Sequence, residues 1–208
     1  MNGRSGPVIV ICGAPGTGKS TLAHRLERIL DVRHRAGTQT ILHTLRAIKP
    51  KDPRNKPLSA LDPGIPATEL RKKMLRQAQY MSKAINYILE RNANQGIPFI
   101  LEGLHILPSI INMKPVSLCV VLASPPRRSY RRWLQHRYIA RPTVFSMEKA
   151  YTMNRIILDD AKRTKGVHII TEYKTAEQVQ RVLHFLHKKG FHSPHQYLRR
   201  VGYKNLSA

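Results

Sequence analysis

Apolar runs of strand length alternate with longer segments of helical periodicity along this chain. The first run, Pro7–Cys12, shows no polar alternation, which is typical of a strand buried on both faces. A helix is predicted over Lys19–Leu30, because leucine and isoleucine recur there on one helical face. The same alternation continues to a last helix over Thr175–Lys188. This order predicts an α/β fold in which a parallel sheet is flanked by helices.

The pattern predicts five strands in total. After the first, the expected strands are Val32–Ala36, Pro98–Glu102, Ser117–Ala123 and Val167–Thr171. Four further helices are expected, at Thr38–Ile48 with Thr38 as the cap, Thr68–Asn94, Arg127–Ala140 and Ser146–Lys165. The segment Lys49–Pro66 holds five prolines and is predicted to be a loop.

The composition narrows the class of protein. A length of 208 residues fits one domain, and no run of 18 apolar residues predicts a transmembrane helix. Cys12 and Cys119 lie inside apolar runs and are predicted to be buried thiols. Only six residues precede the first strand, so no leader peptide is expected. Together these features predict a cytoplasmic protein.

A glycine-rich turn separates the first strand from the first helix. It fits the phosphate-binding pattern G-x-x-x-x-G-K-[ST]. Glycines let successive main-chain N–H groups point at one phosphate, and the helix N-terminus adds partial positive charge. Lys19 is expected to reach the β- and γ-phosphates, and the Ser20 hydroxyl to bind Mg²⁺. The predicted nucleotide-binding residues are Gly13, Ala14, Pro15, Gly16, Thr17, Gly18, Lys19, Ser20 and Thr21.

The predicted nucleotide is ATP with Mg²⁺. ATP is preferred to GTP because the sequence contains no N/T-K-x-D motif of the kind that recognises guanine.

Glu102 directly ends a predicted core strand. Ligands lie at the carboxyl ends of strands in this type of sheet, and none of the other eleven acids has that position. Glu102 is therefore predicted either to hold Mg²⁺ with Ser20 or to accept the proton of an attacking hydroxyl. His105 follows on the same rim and is predicted to bind substrate. The alternatives are an ion pair for Glu102 and a structural role for His105.

The charge is strongly one-sided. Lys and Arg number 36 and Asp and Glu 12, which gives a net charge of +24 and predicts polyanionic partners. Six arginines and no acid lie between Pro126 and Pro142. P-loop kinases carry a closing lid after the fourth strand, so residues 126–145 are predicted to form a basic lid in which Arg132 binds substrate. A solvated basic face is the alternative.

Three further segments resemble the archaeal 2-phosphoglycerate kinase family. The stretch from Gln77 ends in Glu102-Gly103-Leu104-His105-Ile106-Leu107-Pro108, which is similar to that family's E-G-x-H-x-x-P motif. His136-Arg137-Tyr138 with Arg141 is similar to its H-R-F-x-x-R element, and residues 154–161 resemble its I-R-x-I-x-x-x-L-x-x-x-A helix. With the phosphate-binding turn, the resemblance covers about residues 7–186.

The resemblance implies a P-loop kinase that phosphorylates a hydroxyl on a small phosphorylated acid. It implies that Glu102 and His105 line the acceptor site and that Arg137 and Arg141 are catalytic groups that clamp phosphates. The family's G-T-D-x-I-R is Gly37-Thr38-Gln39-Thr40-Ile41-Leu42 here. Gln39, a substrate-binding candidate, stands where an acid is expected, and an amide accepts no proton at neutral pH. Either Glu102 is the base, or the substrate differs, or catalysis is lost.

The main hypothesis is an ATP-dependent phosphotransferase that acts on a small, phosphorylated or anionic acceptor. Residues 1–188 are predicted to form its domain, and residues 189–208 a basic tail. One alternative is an RNA or DNA end kinase, motivated by the charge and by aromatic residues among the arginines. The other is a non-catalytic nucleotide-binding protein, motivated by Gln39.

Overall fold

The central feature is a five-stranded parallel sheet in the order β2-β3-β1-β4-β5. The computed structural model describes residues 6–52, 65–136, 147–172 and 174–191. The strands are β1 (Val8–Gly13), β2 (His34–Gly37), β3 (Phe99–Gly103), β4 (Leu118–Leu122) and β5 (Val167–Ile170). The helices are α1 (Lys19–Leu30), α2 (Thr38–Ile48), α3 (Ala67–Asn94), α4 (Pro126–His136), α5 (Met147–Arg163) and α6 (Thr175–Lys188).

The predicted alternation of strands and helices is confirmed, with the bounds of α1, α2 and α6 as expected and the strand bounds shifted by one or two residues. Most of the predicted loop 49–66, the second half of the predicted lid and nearly all of the tail lie outside the described residues. The division at residue 188 therefore stays a prediction. No helix in the described part of the chain combines the length and apolar character that crossing a bilayer requires.

The side chains of β1 divide between two hydrophobic layers. Val8, Val10 and Cys12 pack with α2, α3 and α5, whereas Ile9 and Ile11 pack with α1 and α6. All five are at most 1% exposed. This double burial explains why the strand is apolar throughout, since neither face meets water. Cys12 and Cys119 are buried free thiols, as predicted.

The strand order places the functional residues side by side. β1 pairs with β3 on one side and with β4 on the other, and Cys12 is in register with Gly103. Because all five strands are parallel, their carboxyl ends meet at one edge of the sheet. The turn after β1 therefore lies next to Glu102 at the end of β3.

The start of α2 differs from the prediction that Thr38 caps the helix. Gly37 is the N-cap, in an extended conformation, and Thr38 is the first helical residue. Thr38 is 1% exposed and lies against the end of β3. A Cβ atom at Gly103 would come 1.8 Å from Thr38 Oγ1 and 2.7 Å from Thr38 Cβ. The glycine at position 103 is thus what allows α2 to begin this close to the sheet.

We expect Gly103→Ala to lower the free energy of unfolding by about 1–3 kcal/mol, because the added methyl group must displace Thr38. Gly37→Ala is the matched control, since a Cβ there meets only Glu102 Oε1 at 3.7 Å, an ordinary contact. Urea unfolding followed by circular dichroism measures both. Equal unfolding midpoints for the two variants would contradict the close approach of Thr38 to the sheet.

Candidate active site

The turn between β1 and α1 has the geometry of an anion-binding loop. Gly16 and Gly18 have φ angles of 76° and 95°, in the left-handed region that favours glycine. Gly18 is the N-cap of α1, and no side chain caps that end of the helix. The helix dipole favours an anion at this end of α1.

Two side chains of the loop are fixed by its own backbone. Lys19 Nζ donates a hydrogen bond to the carbonyl oxygen of Ala14 at 2.9 Å. Thr17 Oγ1 donates to the same oxygen, also at 2.9 Å. Lys19 is only 9% exposed, although it carries a charge. Its ammonium group is thus held over the loop, where a phosphate would bind.

Ser20 and Glu102 meet across the site. The Ser20 hydroxyl donates a hydrogen bond to Glu102 Oε1 at 2.9 Å. Nη1 of Arg35, on β2, lies 4.0 Å from the same carboxylate oxygen. Arg35 is also tied to α1, because its Nε donates to Glu27 Oε1 at 3.0 Å. The structure therefore brings together the two residues predicted from the sequence as metal ligands and adds an arginine beside them.

His105 is buried and paired with Thr38. Its Nδ1 lies 2.8 Å from Thr38 Oγ1 in a buried hydrogen bond. The pKa of His105 is lowered from 6.5 to about 3, mainly because burial penalises the imidazolium. Nearby Lys19, Arg46 and His43 lower this pKa further by opposing another positive charge. His105 is therefore neutral at physiological pH and contributes hydrogen bonding without charge.

A cavity of about 240 Å³ lies at this edge of the sheet. Its walls come from the phosphate-binding turn, from the start of α2 and from the segment that ends β3. The lining residues are Pro15, Gly16, Lys19, Ser20, Gly37, Thr38, Gln39, Glu102, Gly103, Leu104 and His105. Among the residues that the structure describes, Glu102 is the carboxylate of this lining.

Of the predicted substrate-binding residues, Gln39 and His105 both line the cavity. Gln39 is exposed, and its Nε2 is hydrogen-bonded to Nε2 of His43 at 3.0 Å. Arg132, on α4, is placed elsewhere. A Cβ at Gly18 would lie 3.0 Å from Arg132 Nη1, so this guanidinium reaches the phosphate-binding turn rather than the cavity lining.

Two predicted residues cannot be placed, and others were missed. Arg137 and Arg141 lie outside the described residues. Thr21 is exposed on α1 and does not line the cavity.

Sequence reasoning missed the contacts made by Thr38, Arg35, His43 and Arg46. The available signal was the predicted start of α2 at the carboxyl end of β2, which places Thr38 and the residues after it at the ligand edge.

Archaeal 2-phosphoglycerate kinases are similar to this chain in sequence. The enzyme of Thermococcus kodakarensis is 25% identical over 204 residues, which cover 87% of this chain and 66% of the relative. The enzyme of Methanocaldococcus jannaschii is 24% identical over 199 residues, covering 88% and 64%. The chain thus spans no more than about two thirds of the length of these curated relatives. The resemblance inferred from the motifs is confirmed, whereas no family model matches the chain.

Solved kinase structures share the fold. A sugar kinase from Janibacter sp. HTCC2649 has a TM-score of 0.55 at 16% identity and covers 88% of this chain and 95% of its own. Deoxyadenosine kinase from M. mycoides with bound dATP has a TM-score of 0.52 at 13% identity, and the match covers 86% of this chain and 98% of the kinase. A gluconokinase from Sinorhizobium meliloti 1021 has a TM-score of 0.52 at 12% identity, and the match covers 96% of this chain and 99% of the gluconokinase. At these identities the likeness concerns the fold, and the predicted five-stranded parallel sheet flanked by helices is confirmed.

The buried His105 should make folding sensitive to acid. The folded protein keeps His105 neutral down to a pKa of about 3, whereas the unfolded chain protonates it near 6.5. Between these values the unfolded state binds more protons, so the free energy of unfolding falls as pH is lowered, by about 1.4 kcal/mol per pH unit. We expect His105→Gln to remove this part of the slope.

Urea unfolding at intervals between pH 4.5 and 7 measures the slope. His34→Gln is the control, because His34 is exposed on β2 and its replacement should leave the slope unchanged. A His105→Gln variant that loses stability toward acid as steeply as the unmodified protein would show that His105 is not held neutral by burial.

Proposed function

We propose that this protein is an ATP-dependent phosphotransferase that moves the γ-phosphate of Mg-ATP to a hydroxyl of a small, phosphorylated acceptor. The observation that carries the proposal is the contact between Ser20 and Glu102 at 2.9 Å. It joins the phosphate-binding turn to a carboxylate in the wall of a cavity of about 240 Å³. Donor phosphate and acceptor hydroxyl can therefore share one site.

The phosphate-binding turn holds the nucleotide in this proposal. The amides at the start of α1 bind the phosphates, and Lys19 exchanges its contact with the Ala14 carbonyl for the β- and γ-phosphate oxygens. The Ser20 hydroxyl is a hard oxygen donor for Mg²⁺, and the Glu102 carboxylate is a second such donor in the alternative in which it holds the metal instead of acting as base. One or two protein ligands are enough for Mg²⁺, because the ion takes its other ligands from water and phosphate. No group of three or more His, Cys, Asp or Glu side chains within the described ranges offers a fuller protein-based metal site. Bound there, the ion would neutralise phosphate charge.

Glu102 is the proposed base. It accepts the proton of the acceptor hydroxyl while that oxygen bonds to the γ-phosphorus, and the bond from phosphorus to the ADP oxygen breaks. Gln39 lines the same cavity but cannot take the proton, because an amide is not basic at neutral pH. His105 is neutral and hydrogen-bonded to Thr38, which suits it to orient the acceptor.

The arginines after β4 are proposed to stabilise negative charge on the transferring phosphate. Support comes from Arg132, whose guanidinium lies beside Gly18 in the phosphate-binding turn. Arg137 and Arg141 keep their proposed clamping role, since they follow α4 in the chain. Arginine groups of this kind contribute about 10³–10⁵ in rate where their role has been measured.

The acceptor to test first is 2-phosphoglycerate, because it is in the name of the curated relatives. The replacement of the expected acid by Gln39 makes other small phosphorylated acids the next set. The nucleotide is proposed to be ATP, and the location cytoplasmic, both as predicted from the sequence.

We expect Glu102→Gln to lower the rate of phosphate transfer about 10²–10⁴-fold and to leave nucleotide affinity nearly unchanged, because the amide still accepts the Ser20 hydrogen bond but takes no proton. Lys19→Ala should instead weaken nucleotide binding. Product formation from labelled ATP and calorimetric titration with Mg-ATP measure the two effects. Glu148→Gln, at an exposed acid of α5, is the matched control.

The same measurements separate the alternatives. Normal ATP binding without transfer to any phosphorylated acid would indicate a non-catalytic nucleotide-binding protein. If Glu102 holds the metal instead of acting as base, Glu102→Gln raises the Mg²⁺ concentration needed for nucleotide binding. Full activity in Glu102→Gln would overturn both roles of the carboxylate.

Nucleic-acid binding is a second candidate, supported by the net charge of +24 and by the exposed Arg127, Arg128 and Arg131 on α4. It predicts that affinity for RNA or DNA oligomers falls by at least tenfold between 50 and 200 mM salt. Fluorescence anisotropy measures this dependence. Absence of binding at the lower salt concentration would exclude this candidate.

A further inference from the structure

Three polar side chains form a stripe along α2 that starts in the cavity. Gln39, His43 and Arg46 are spaced by four and three residues, which places them on one helical face. Gln39 lines the cavity and is hydrogen-bonded to His43. Arg46 lies one further turn along. Gln39 lines the cavity, and His43 and Arg46 follow beyond it along α2.

The Nε atom of Arg46 is a buried donor with an unusual environment. Its Nε is buried and has no hydrogen-bond partner among the described residues. A buried donor that lost its water and gained no partner is costly, and the cost is larger for a charged group. The positive charge of Arg46 also reaches His105, whose pKa it helps to lower. Arg46 is thus placed close to the cavity with an unused donor.

The start of α2 adds positive electrostatic potential to that of Arg46. Its N-cap, Gly37, provides no side-chain hydrogen bond, and the first turn contains no acid. Gly37, Thr38 and Gln39 all line the cavity, so the uncapped end of the helix faces it. Lys19 lines the same cavity, and Glu102 supplies the carboxylate among the lining residues that the structure describes.

We propose that Arg46, His43 and the first turn of α2 bind the anionic group, phosphate or carboxylate, that the acceptor already carries before transfer. This inference rests on the proposed phosphotransferase function and specifies which part of the site selects the acceptor. With its anion fixed on α2, an acceptor directs its free hydroxyl toward Glu102 and the phosphate-binding turn. Neutral acceptors lack this contact and are discriminated against.

The direct test is a titration of the isotope-labelled full chain, followed by NMR. Saturating Mg-ADP first fills the phosphate-binding turn. Inorganic phosphate and 2-phosphoglycerate are then added in separate experiments. We expect shifts in the main-chain amides of Gln39 and Thr40 and in the Arg46 Nε–H signal. Glycerol 2-phosphate and glycerate, which carry only a phosphate or only a carboxylate, identify which group binds.

Matched variants test the side chains. Arg46→Gln and His43→Gln should each weaken phosphate binding about tenfold, the loss expected for one charge-assisted hydrogen bond. Arg28→Gln, at an exposed arginine of α1, should leave it unchanged. His43 is exposed, so its variant keeps the test valid if Arg46→Gln folds poorly. Unmodified phosphate affinity in both variants, or no α2 shifts with Mg-ADP bound, would overturn the proposal.

A transfer assay separates this inference from the proposed function. If both hold, the two variants raise KM for the acceptor and leave KM for ATP unchanged. Transfer with an unaltered acceptor KM removes the α2 site and leaves the phosphotransferase standing. No transfer to any acceptor, with the α2 shifts still present, removes the phosphotransferase and leaves an anion site.

Discussion

The hydrogen bond from Ser20 to Glu102 connects the two halves of the site, and it depends on the order of the strands. Ser20 lies on α1, after the central strand β1, and Glu102 lies near the end of β3, 82 positions later in the chain. They meet because β3 pairs directly with β1, in register from Val8 to Cys12. This pairing brings the Glu102 carboxylate to the phosphate-binding turn.

Positive side chains outnumber carboxylates among the described residues at this edge of the sheet. Arg35 lies beside Glu102. His105 stays neutral because burial lowers its pKa and because the charges of Lys19 and Arg46 oppose another positive charge. A protein surface with this distribution attracts anions in general. The base role proposed for Glu102 depends instead on its particular position beside Ser20 and Arg35. The net charge of the whole chain is therefore a poor guide to its chemistry.

Local periodicity was sufficient to predict most of this fold. The bounds of α1, α2 and α6 could be predicted from apolar residues on one helical face. The position of Glu102 at the ligand edge could be predicted because this residue comes directly after an apolar run. Strand order, however, is not contained in local pattern. The role of Thr38 was also hidden, because a threonine before an apolar helical run resembles a cap. Its actual partner, His105, is 67 residues away and comes close only through the sheet.

The near-contact between Gly103 and Thr38 has a consequence for motion. With 1.8 Å between a notional Cβ and the threonine oxygen, α2 has no freedom to approach β3, and the buried bond to His105 resists its withdrawal. The start of α2 is thus held against the end of β3, the strand that carries Glu102. For the proposed phosphate transfer, we therefore expect the movement that excludes water on the side of α4, where Arg132 reaches the phosphate-binding turn.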